Sequence, residues 1–90
     1  MMESNRVTHN EVKGQFEIKL EKEPAILQYH RTGDTLRLIH TEVPPAMRGR
    51  GLGNELVRGA LDFAHFNQLK VDPVCPFVKA YLHKHPEAAK

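Results

Sequence analysis

The sequence predicts an α/β fold of the mixed α+β kind, in which an antiparallel three-strand meander is followed by a long helix, a parallel strand and a last helix. Three observations carry this expectation. Residues 16–43 fall into three strand-like runs separated by turn residues. The apolar period then lengthens to about four over residues 51–67. A short strand pattern at residues 70–75 follows that helix, so the simplest return to the sheet is a parallel crossover.

Residues 1–13 are polar and read as loose, with a short extended piece at residues 6–9. Phe16, Ile18 and Leu20 alternate with Glu17, Lys19 and Glu21, the period of a half-buried strand. Pro24 breaks that run. Residues 25–31 make the second strand, and Thr32, Gly33 and Asp34 a hairpin turn with glycine where positive φ is needed. Residues 35–43 form the third, rich in Leu36, Leu38, Ile39 and Val43. In the helix, Leu52, Leu56, Ala60 and Ala64 mark one face, with Val57, Leu61 and Phe63 beside them. Asn54, Glu55, Arg58, Asp62 and His65 fall on the wetter side. Pro76 opens the last helix, where a proline sacrifices no hydrogen bond. Phe77, Val78, Tyr81 and Leu82 supply its apolar face, and Pro86 ends it.

Ninety residues are expected to make one domain, 1–90, and a chain of this size buries only about 60–65% of its unfolded surface. Hydrophobic residues are 40% and charged residues 27%, ordinary for a globular protein. A net charge of +2 does not point to nucleic acid. Cys75 is the one cysteine, so no internal disulfide is possible and a reducing compartment is expected. The start lacks an apolar signal core, and no apolar run approaches the roughly 20 residues that cross a bilayer. The expectation is a cytoplasmic, soluble protein without membrane or nucleic-acid partners.

The chemistry concentrates after the third strand. Val43, Pro44 and Pro45 end it, the run Arg48, Gly49, Arg50, Gly51, Leu52, Gly53 follows, and a helix begins. Glycine permits positive φ and leaves no side chain between the backbone and a ligand. The first N–H groups of a helix lack internal partners and carry the positive end of its dipole. Together these suit a pyrophosphate, with Arg48 and Arg50 adding charge. The same residues also fit a plain connecting loop. They are not a Walker loop, since no Gly-Lys-Ser/Thr follows, and the spacing is not that of the dinucleotide fingerprint.

This segment resembles the signature of the GNAT superfamily of acetyl-CoA-dependent N-acetyltransferases. There an Arg or Gln, two residues, Gly, one residue, then Gly or Ala grips the pyrophosphate, and Arg48, Gly51 and Gly53 occupy those places. The preceding strand resembles the one whose end, here near Val43, pairs with the pantetheine arm. With Cys75 and the run His85, Pro86, Glu87, residues 38–87 look like a short stand-alone branch of that superfamily. The resemblance implies acetyl-CoA as cosubstrate, bound by Val43, Arg48, Gly49, Arg50, Gly51, Leu52 and Gly53. It implies an amine acceptor, on a protein or a small molecule. Longer relatives carry extra helices and strands around the acceptor pocket, so a shallow site or one completed by a partner is expected here. The short branch often places serines beside the cysteine, and Val74 and Pro76 stand there in this chain.

Acetyl transfer requires the thioester to be held, the amine to lose a proton and the oxyanion to be stabilised. Cys75 lies at a strand end and a helix start, where a thiolate is favoured. His40, on the neighbouring strand, is expected to face it as a base or as the partner of an acyl-enzyme cysteine. Each also has a structural reading: Cys75 as a small buried apolar residue, His40 as a hydrogen-bonded strand histidine. Glu42 is an alternative base, and Tyr81 a candidate to protonate the leaving thiolate, as in many relatives. His83 and His85 diverge on a helix, so no metal is expected. Two other functions compete, a CoA-binding module without turnover and a small RNA-binding domain. The latter is weakened by 7% aromatic residues and no tryptophan.

Overall fold

The computed structural model describes residues 6–89. Five strands form one sheet in sequence order: β1 (Val7–Asn10), β2 (Gln15–Ile18), β3 (Ala25–Thr32), β4 (Thr35–Glu42) and β5 (Lys70–Pro73). The first four are antiparallel neighbours, and β5 joins β4 in parallel. Helix α1 (Leu52–Phe66) makes the crossover, and α2 (Pro76–Lys84) follows β5. Pro45–Met47 and Pro86–Ala89 are short 3-10 turns.

The meander thus has four antiparallel strands where three were expected. The short extended piece expected at residues 6–9 within a loose stretch is a paired strand of the sheet, and the earlier part of that stretch, residues 1–5, lies outside the described residues. The added strand is short and polar, but it docks through three separate contacts. Val7 packs where a Cβ on Gly59 would sit, 2.9 Å away. The His9 ring stacks on Phe16 with centroids 4.5 Å apart and meets the edge of Phe63 at the same distance. Just before the strand, Arg6 holds Glu55 of α1 through two hydrogen bonds, 3.0 and 2.9 Å.

The helix and the strand alternation give the core. Leu52, Leu56, Val57, Ala60, Leu61 and Ala64 of α1 are buried with Phe16, Ile18, Ala25, Leu27, Leu36 and Leu38 of the sheet. Helix α1 lies over β2 and β3, and α2 lies over β4 and β5. From α2 the buried residues are Val78 and Tyr81, whereas Phe77, expected in the apolar face, is 42% exposed. Gly33 turns β3 into β4 with φ of +60°, as its place in the sequence required. The opposite sheet face carries the exposed Thr8, Gln28 and Arg37. Among the described residues no helix is long and apolar enough to cross a membrane.

One irregularity shapes the site. Tyr29 stands opposite Leu38, but Gln28 stands opposite His40, so Ile39 is an extra residue in β4. Such a bulge reverses the alternation beyond it. Leu36 and Leu38 point to the core, and after the bulge Thr41 does so, opposite the buried Leu27. His40 is thereby turned to the open face.

Candidate active site

Strands β4 and β5 pair only over residues 35–38 and 70–73. The N–H groups of Val74 and Cys75 then converge on the Leu38 carbonyl, at 3.0 and 2.9 Å, as the chain turns into α2. Beyond that point β4 runs on without a strand on this side among the described residues. The divergence opens a cleft of about 550 Å³. Its walls are residues 40–43 of the β4 end, Met47, Arg48 and Gly49 of the loop, residues 51–54 at the start of α1, and Phe77.

The loop is built by residue type. Gly49 and Gly51 have φ of +81° and +78°, a left-handed conformation that costs other residues about 1–2 kcal/mol. A Cβ at either would meet nothing within 4 Å, so the space above them is open. Gly53 is different. A Cβ there would lie 2.6 Å from Cζ of Phe77, so this glycine lets the starts of the two helices approach. The first hydrogen bond of α1 runs from Glu55 N–H to the Gly51 carbonyl at 3.1 Å. The N–H groups of Leu52, Gly53 and Asn54 precede it and lack an intrahelical acceptor, and Gly51 brings no capping side chain. These donors sit at the positive end of the dipole. Arg48 reaches back and donates from Nε to the Val43 carbonyl at 3.1 Å, which closes the loop onto the end of β4.

The predicted binding residues do not contribute alike. Val43, Arg48, Gly49, Gly51, Leu52 and Gly53 line the cleft, while Arg50 is exposed and does not. The Leu52 side chain belongs to the core, so only its backbone faces outward. Met47, Asn54 and Phe77 line the cleft without having been singled out in the sequence.

The expected pairing of Cys75 with His40 is not formed. Cys75 caps α2, is buried, and lies 3.5 Å from the Thr41 hydroxyl. His40 is exposed, with Nε2 3.7 Å from a carboxylate oxygen of Glu42, and both residues line the cleft. The bulge at Ile39 is the reason, because it exchanges the faces of residues 40 and 41. Burial pushes the Cys75 thiol up. The Thr41 hydroxyl and backbone groups of Val78, Phe77 and Thr41 outweigh it and hold the thiol below its ordinary value. Tyr81 is buried, lies tilted against the His85 ring with centroids 4.6 Å apart, and does not line the cleft. Among the described residues no group of three or more His, Cys, Asp or Glu could hold a metal ion.

Comparison with known proteins agrees with this architecture. The profile of the GCN5-related N-acetyl-transferase family matches residues 15–90. Protein NATD1 of Xenopus tropicalis is 37% identical over 86 residues, covering 92% of this chain and 79% of its own length. The Homo sapiens protein of that name is 37% identical over 84 residues, covering 90% and 74%. The solution structure of a GCN5-like N-acetyltransferase candidate from Staphylococcus aureus superimposes with a TM-score of 0.73 at 24% identity, covering 96% of this chain and 86% of that one. That likeness bears on the fold: a five-strand sheet with two helices. The profile match spans most of the chain, and on that ground the protein belongs to the GCN5-related N-acetyltransferase family.

Proposed function

We propose that the protein binds acetyl-CoA in the cleft and transfers the acetyl group to an amine. The observation that carries this is the joining of two features at one opening. A diverging strand offers unpaired backbone, and a glycine loop offers helix N–H groups with open space above Gly49 and Gly51. The first suits an extended amide-bearing arm, the second a pyrophosphate. Leu52, Gly53 and Asn54 would hold the phosphates through their N–H groups, Arg48 would add charge, and residues 40–43 would pair with the arm. When bound, acetyl-CoA supplies an activated acetyl thioester. The chain contributes orientation, a wall at Phe77 that limits water, and a proton acceptor.

The His40 and Glu42 pair supports direct attack by the amine. His40 presents a ring nitrogen at the cleft within reach of an incoming amine, and Glu42 stands beside it. A second reading, an acetyl-Cys75 intermediate, is favoured by one observation: the thiol is shifted toward thiolate although it is buried. Incubation with acetyl-CoA followed by intact mass measurement separates the two. Direct attack leaves the protein mass unchanged and shows free-thiol release only with an amine present. An added acetyl mass that is lost in Cys75→Ala establishes the acyl-enzyme.

A further inference from the structure

We infer that the acceptor is a short aliphatic diamine or polyamine, received in a second groove on the open face of the sheet. This rests on the reading of the cleft as the acetyl-CoA site. The groove encloses about 390 Å³ and shares Glu42, Val43 and Arg48 with the cleft, so the end of β4 is a common wall between them. Ile26 of β3 and its register partner Glu42 line it together with Glu23 and Pro44.

Three features describe what would fit. Ile26 and the prolines offer apolar surface to a methylene chain. Glu23 and Glu42 offer two carboxylates, and the single guanidinium in the groove, that of Arg48, takes phosphate as its counter-ion once acetyl-CoA is bound. Gln15 is the buried polar residue of the described chain, 7% exposed, and it too lines the groove. Its Nε2 donates to Glu17 at 2.6 Å, while its Oε1 accepts no hydrogen bond from the described residues. A buried acceptor without a donor calls for one, and an ammonium brings three. At 390 Å³ the groove lies at the small-molecule end of binding-site sizes, roughly 300–1,000 Å³.

The transfer balances as follows. The ammonium nearest the cleft gives one proton to Nε2 of His40, which stands beside Glu42. The freed nitrogen lone pair attacks the thioester carbon, the C–N bond forms and the C–S bond breaks. The leaving sulfur takes the second proton from nitrogen, and His40 returns the first to solvent. The second ammonium stays charged on Glu23.

The test uses the whole chain, acetyl-CoA and a free-thiol assay with 1,4-diaminobutane, a triamine, butylamine and a lysine-containing peptide. Acetyl-CoA binding is measured separately by calorimetry. The diamine or triamine is expected to exceed butylamine about five-fold in kcat/KM, the contribution of the one added ammonium paired with Glu23. Glu23→Gln is expected to remove about five-fold of that preference through KM, with the Kd for acetyl-CoA unchanged. Equal use of butylamine and diamine, preference for the peptide, failure to use any of these amines, or indifference to Glu23→Gln overturns the acceptor class. Absence of acetyl-CoA binding overturns the reading of the cleft itself.

Discussion

The Thr41 hydroxyl lies 3.5 Å from Sγ of Cys75, while His40, one residue earlier on the same strand, meets Glu42 on the opposite face. The bulge at Ile39 sets both relationships, and it separates the thiol from the imidazole.

Thr41→Val removes the hydroxyl at nearly constant volume. The Cys75 thiol should then titrate at higher pH, because burial opposes the thiolate and only the backbone groups of Val78, Phe77 and residue 41 remain to favour it. The pH profile of alkylation by iodoacetamide reads this directly. The midpoint is expected to move upward in Thr41→Val and to stay put in His40→Gln.

Gly53→Ala should destabilise the fold by less than about 1 kcal/mol, since the new methyl displaces the tip of the half-exposed Phe77 ring while the helix preference of alanine offsets part of that cost. Urea denaturation measures the loss. In a Phe77→Ala background the same change should cost little, and the non-additivity identifies the contact.

His9 carries a pH dependence. Burial among Phe16, Tyr29 and Phe63 lowers its pKa, and Glu11 opposes this only in part. The unfolded chain then binds a proton more readily than the folded one, so stability falls as pH drops through and below about 6.5. Nε2 of the ring also lies 2.6 Å from Tyr29 Oη, so the two groups share one hydrogen bond. Urea midpoints at pH 7.5 and 5.5 should differ more for the wild type than for His9→Asn.

Much of this was legible in the sequence, for physical reasons. The switch from period two to period four located α1 and the strands before it, and Gly33 and Pro76 marked a turn and a helix start through backbone requirements of their own. The loop was legible because Gly49 and Gly51 need positive φ. What escaped depended on distant parts of the chain. Strand β1 showed only as a short extended piece, with too few apolar residues to place it in the sheet, and it docks there because Gly59 and Phe63, about fifty residues later, receive Val7 and His9. The bulge has no local signature, and without it the alternation of Leu36 and Leu38 would continue to His40 in place of Thr41. The Gly53 contact with Phe77 required both helices to be in place.

The most direct test of the account is a calorimetric titration of acetyl-CoA into the wild type and into Gly51→Val. Valine at this position strains a left-handed backbone by about 1–2 kcal/mol and puts a branched side chain in the open space above the helix N–H groups. The account predicts saturable binding by the wild type and at least about ten-fold weaker binding by Gly51→Val, with circular dichroism showing the variant folded. A wild type that does not bind acetyl-CoA, or a folded Gly51→Val that binds it as tightly, would contradict the account.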